Sequence, residues 1–114
     1  MVSAMGYKYF IKKGGKGYYF GLFPNNNNNQ PLAISGDYTT YKEAEEAIVD
    51  LKSLMKSSTE LFHISKEDTG YFLKLIENDK GIVFHRDIAF PHRYEALHCI
   101  ERVYKNFDAP LKIK

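Results

Sequence analysis

The sequence predicts an α+β fold of two similar halves. Each half reads strand-strand-strand-helix-strand, and the two join in one antiparallel sheet with both helices on the same face. Three observations predict this. Gly17-Tyr18-Tyr19-Phe20-Gly21-Leu22 is echoed by Gly70-Tyr71-Phe72-Leu73-Lys74-Leu75, 53 residues later in a chain of 114. Self-similarity at a fixed offset marks an internal repeat. Each half also carries one apolar stripe at helical spacing, the face a helix buries. Finally, a chain of this length buries roughly two-thirds of its unfolded surface, whereas half of it would be marginal alone. The halves, residues 7–57 and 58–114, are therefore expected to share one core within a single domain, residues 1–114.

In the first half, residues 7–13 alternate apolar or aromatic side chains with lysine, the pattern of a half-buried strand. Gly14-Gly15-Lys16-Gly17 supplies a turn, and residues 18–23 return as the second strand of a hairpin. Pro24 and the asparagines 25–29 break the pattern; they read as a low-complexity loop rather than a ligand site. Residues 32–35 form a short third strand. Thr40 with Glu43 fits a capping box, and Ala44, Ala47, Ile48, Leu51 and Met55 form one stripe of the helix that follows.

The second half repeats the plan. Residues 61–65 and 71–76 read as strands around a turn at 66–69. Asn78-Asp79-Lys80-Gly81 is a tighter turn before a third strand at 82–86. Pro91 is placed to open the second helix, where its missing amide costs nothing. Ala96, Ile100, Val103 and Phe107 form its stripe. Residues 109–114, with Leu111 and Ile113 alternating, form a last strand.

Composition narrows the function classes. With 44% hydrophobic residues and 15% aromatic, the chain is too rich in core formers to be disordered. Cys99 is the sole cysteine, so there is no internal disulfide, which fits a reducing compartment. The first six residues lack a basic start and an apolar run, and no segment reaches the roughly 20 apolar residues of a membrane helix. A cytoplasmic protein without a membrane anchor is expected. The net charge of +2 is small, but residues 1–36 carry Lys8, Lys12, Lys13 and Lys16 and no acid, a pattern that suits protection of a strand edge.

The residues carrying the repeat also carry a resemblance. Two Gly-aromatic strands, with Tyr38-Thr39-Thr40 ahead of a helix holding Ala47-Ile48 and Leu51-Lys52, resemble the YegP-like family of small tandem-repeat proteins over nearly the whole chain. The resemblance implies three-strand-helix-strand units in one antiparallel sheet with exchanged C-terminal strands, residues 109–114 returning to pair near residues 7–11. The sequence departs from the family where residues 25–30 replace a short Asn-Gly turn, and where Phe90-Pro91-His92 stands in place of Tyr38-Thr39-Thr40. The family has no established activity, so the resemblance implies none.

No chemistry is compelled by the remaining residues. His63, His85, His92 and His98 include no pair at the i, i+4 spacing of a helical zinc site. His92, Glu95 and Cys99 share one helical face, but a helix start beside a half-buried thiol explains them better than a metal does. His98, next to Cys99, points about 100° away from it and is no base for that thiol. The glycines 14, 15 and 17 lie between strands, not ahead of a helix as a phosphate loop requires. The expectation is a protein that is not an enzyme and needs no cofactor or metal.

The outstanding feature is the sheet face turned away from the helices. Alternation places Phe10, Lys12, Tyr19, Phe72 and Lys74 there, with Lys8, Gly21, Phe23, His63 and Ile76. An uncovered aromatic and basic face marks an interaction site. The expected partner is a protein, a second copy of the chain being the plainest form, and the alternative is single-stranded nucleic acid stacked on the rings. The modest charge, the acids at 60, 67, 68, 77 and 79 and the absence of an RNP-like motif weigh against nucleic acid.

Overall fold

The computed structural model describes residues 6–113. The first five residues, read above for a leader, and Lys114, at the end of the last segment, lie outside the described residues. The elements run β1 (Tyr7–Gly14), β2 (Gly17–Pro24), β3 (Ala33–Ser35), α1 (Tyr41–Ser57), β4 (Phe62–Glu67), β5 (Gly70–Leu75), β6 (Phe84–His85), α2 (Arg93–Asn106) and β7 (Leu111–Lys112). They form one seven-stranded sheet in the order β4-β5-β6-β3-β2-β1-β7. Among the described residues no helix is long and apolar enough to cross a membrane.

The sheet is mixed, which corrects the expectation of a purely antiparallel one. β7 runs parallel to β1, pairing Leu111 with Tyr9 and Lys112 with Phe10. The short link at residues 107–110 turns the chain back against α2 and delivers β7 along the direction of β1. Two bonds from the same residue secure the junction: the Tyr9 amide donates to Pro110 O at 2.8 Å, and the Tyr9 hydroxyl donates to Phe107 O at 2.6 Å. Burial raises the pKa of that hydroxyl, so it remains a donor.

The duplicated Gly-aromatic stretch has a specific task. Gly17 takes φ +134°, and Tyr18 exchanges backbone hydrogen bonds with Tyr38 at 2.8 and 2.6 Å. Gly70 takes φ +136°, and Tyr71 exchanges bonds with Phe90 at 2.8 Å each way. A side chain at either glycine would strike a carbonyl: its Cβ would lie 2.3 Å from Tyr38 O or 2.5 Å from Phe90 O. In each half, then, the start of the second strand clamps the segment that leads into the helix.

The first helix forms as its sequence requires. Thr40 Oγ1 accepts from the Glu43 amide, and Glu43 Oε1 accepts from the Thr40 amide, both at 3.1 Å. The five stripe residues of α1 are all buried. The second helix starts later than expected, because Pro91 lies ahead of the helix and His92 is its N-cap. Phe90, held extended by Tyr71, leaves the chain non-helical until Glu95 reaches back to the His92 amide at 3.1 Å. Cys99 joins Ala96 and Val103 as fully buried, while Ile100 and Phe107 pack from the margin.

Other boundaries move as well. The β4–β5 turn is confined to residues 68–69, since pairing continues to Glu67 and Gly70. The third strand of the second half shrinks to Phe84–His85, because Asn78 folds residues 78–82 into a side-chain-closed loop. A single hydrophobic core joins both helices to Tyr9, Phe20, Leu22, Leu73 and Phe84, side chains that alternate onto one face of the sheet. At its centre the Phe20 ring stacks on Phe84, 5.7 Å between centroids, with Tyr9 edge-on at 6.0 Å.

Candidate functional site: the outer face of the sheet

The opposite face carries one transverse row of directly paired residues across all seven strands: His63, Lys74, His85, Ile34, Gly21, Phe10 and Lys112. Gly21 interrupts the row for a reason. A Cβ there would lie 2.8 Å from the Phe23 ring, which occupies the space instead.

Over β1 and β2 this face is not open, which corrects the expectation of an uncovered surface. Residues 25–31 fold across it. Lys8, only 5% exposed, donates to Asn25 O at 3.1 Å, and Lys12 donates to Asn28 O at 2.5 Å. Asn27 Oδ1 accepts from the amides of Asn29 and Gln30 and so shapes the loop from within. Phe23 is 1% exposed as a result, with Phe10 edge-on at 6.2 Å and the Lys12 amine 5.0 Å above its ring. Tyr19, paired with Lys12, lines a small cavity of about 140 Å³ beside Asn29 and Pro31.

Over β4, β5 and β6 the face stays open. Phe72 and Lys74 lie on β5, separated from Phe10, Lys12 and Tyr19 by β6 and β3. The five expected binding residues thus fall into two groups, three on the side that residues 25–31 cover and two on the open side, all five half-buried. Lys74 pairs with Glu67 at 3.0 Å, both side chains being over 40% exposed. The hydrogen bond from Lys74, then that from Ser65, holds the Glu67 carboxyl below its usual range. Beside them lies a groove of about 570 Å³, lined by His63, Lys74 and His85 together with Ile82 and Val83. Burial lowers the His85 pKa, and Lys74 adds to the effect while Asp87 opposes it.

No protein-family model matches the chain, and no curated protein matches it. A solved structure does: the solution NMR structure of yegP, a protein of unknown function from E. coli. It aligns with a TM-score of 0.76 over 94% of this chain and 90% of that one, at 16% identity. The chain has the YegP fold. The resemblance read from the Gly-aromatic strands and the Tyr-Thr segment is matched at the level of architecture, and YegP, itself without a known function, brings no activity with it.

Within the YegP fold the other candidate residues are dispersed. Among the described residues no three of His, Cys, Asp and Glu lie close enough to hold a metal ion. His92 is exposed and Cys99 fully buried, so the structure does not gather them. The Cys99 thiol lies 3.5 Å from Leu32 O. Burial pushes its pKa up, against the opposing pull of Arg86 and Arg102. Cys99 is therefore expected to react with a disulfide reagent at least about 100-fold more slowly in the native protein than in urea, because the thiolate is the reactive form. Comparable rates would show the thiol to be accessible. His85 is the residue sequence reasoning left unplaced. Its signal was alternation, since Phe84 pointing inward obliges His85 to point outward.

Proposed function

We propose that the chain is a non-catalytic binding module of two repeats with exchanged C-terminal strands, working in the cytoplasm through the open part of its outer face. The two glycine clamps at equivalent positions support the repeat reading. β7, which follows α2, lies against β1 of the first half, and β4, which follows α1, lies against β5 of the second; both support the exchange.

The observation that carries the binding reading is the apolar content of the uncovered side. Phe72 is half-buried there, and Ile76 and Val83 are 42% and 51% exposed. Continuing the Lys74–His85 register sets Ile76 level with Val83. Exposed apolar side chains around an aromatic are the composition of an interface centre. Self-association is the plainest form, because isologous contact needs only one patch. The nucleic-acid reading loses ground with Lys8 and Lys12 committed to loop carbonyls.

Sedimentation over a range of concentrations tests this. A dimer is expected, and Phe72→Ala with Val83→Ser should weaken it at least about tenfold, the loss of two buried apolar contacts. Tyr19→Ala, on the roofed half, should leave it intact. A monomer at every concentration contradicts self-association, and salt-sensitive oligonucleotide binding lost with Phe72→Ala would favour nucleic acid instead.

A further inference from the structure

β5 and β6 share a single residue pair, Lys74 with His85, and then part. The chain between them loops out and is rigidly built. Asn78 Oδ1 accepts from the amides of Lys80 and Ile82 at 3.1 Å each, and Asn78 Nδ2 donates to Ile76 O and Ile82 O at 3.2 and 3.0 Å. The gap left beside this loop is the groove of about 570 Å³. That volume falls within the roughly 300–1,000 Å³ of small-molecule sites, which combine apolar walls with a few convergent polar groups.

The groove has both. Leu75, Ile82 and Phe84, each at most 9% exposed, give it an apolar floor, and Val83 forms a wall. His63, Lys74 and His85 also line it, paired in register across three strands. Lys74 is the fixed cation, and the imidazoles add ring N–H donors. The Glu67 partner of Lys74 does not preclude a ligand, since an exposed ion pair contributes only about 0–1 kcal/mol. Glu77, also on the rim, disfavours a polyanion and leaves room for one negative head.

We infer that this groove binds a small acid with an apolar body. A single carboxylate, sulfonate or phosphate head sits on the His63–Lys74–His85 row, and a hydrocarbon or aromatic body lies against Ile82 and Val83. The inference goes beyond partner binding and does not depend on it, because one chain supplies every wall.

Three probes of equal tail length test it by amide chemical-shift titration of the whole protein: octanoate, octyl phosphate and 1-octanol. Saturable shifts are expected for at least one acid, confined to the β4–β6 strands and residues 77–83, with 1-octanol at least tenfold weaker. Preference between the two acids assigns the head group. Lys74→Met, which keeps the stem and removes the charge, should weaken acid binding at least tenfold with an unchanged circular dichroism spectrum, and Lys13→Met should not. Equal binding of 1-octanol, shifts centred elsewhere, full affinity in Lys74→Met or no binding of either acid would each overturn the proposal. A monomer that binds octanoate would remove self-association and leave the groove standing; a dimer that binds no probe would do the reverse.

Discussion

Gly17→Ala is expected to destabilise the protein by roughly 3–5 kcal/mol and to lower Tm by more than about 10 °C. Two costs combine. At φ +134° an L side chain strains the backbone, by about 1–3 kcal/mol. Its Cβ would also fall 2.3 Å from Tyr38 O, which accepts from the Tyr18 amide in a residue held by two backbone hydrogen bonds. Relieving that clash breaks the pairing that positions the start of α1. Gly70→Ala should behave alike, with Phe90 O at 2.5 Å. Gly15→Ala is the control: nothing lies within 4 Å of its Cβ and its φ is not positive, so a change under about 0.5 kcal/mol is expected. Thermal and urea unfolding of the three variants decide the matter. A Gly17→Ala protein as stable as the parent would show that the clamp yields without cost.

Phe84→Ala is expected to lose about 3–5 kcal/mol, the range for truncating a buried aromatic. Phe84 is 0% exposed, stacks on Phe20 of the first half and lies 6.4 Å from Phe62 of the second. It stands on β6, where β6 meets β3 at the middle of the sheet. A cavity there loosens the joint between the halves as well as the core. Set against a typical total of about 5–15 kcal/mol, the loss is roughly a fifth or more. Phe72→Ala, on the outer face, should cost under about 1.5 kcal/mol, since that ring is only half-buried and stands outside the core. Urea midpoints at constant m measure both. A Phe84→Ala loss no greater than that of Phe72→Ala would contradict a shared core.

Helical parts of this architecture are legible because their cause is local. Every stripe residue of α1 is buried and both bonds of the Thr40–Glu43 box form, since periodicity and capping depend on neighbours in sequence. The partner strand of the last segment is legible too. Its direction is not, because parallel or antiparallel entry depends on how the 107–110 link leaves α2. The outer face divides the same way. Alternation places Phe10, Lys12, Tyr19, Phe72 and Lys74 on it correctly as strand positions. The roof over the first three rests on lysine amines meeting backbone carbonyls of Asn25 and Asn28, contacts that leave no side-chain signature in the loop. The groove was hidden for a related reason: it exists where β6 is short, and strand length is set by the Asn78 loop rather than by apolar pattern.

The parallel β1–β7 pair also has a consequence for synthesis on the ribosome. Among the described strands β1 is made before β7, so the outer rim of β1 remains without its neighbour until residues 111–112 have emerged. An unpaired rim on a nascent chain is a template for association with other chains. Lys8, Lys12 and Lys13 lie along that strand, and like charges on two such rims disfavour their pairing.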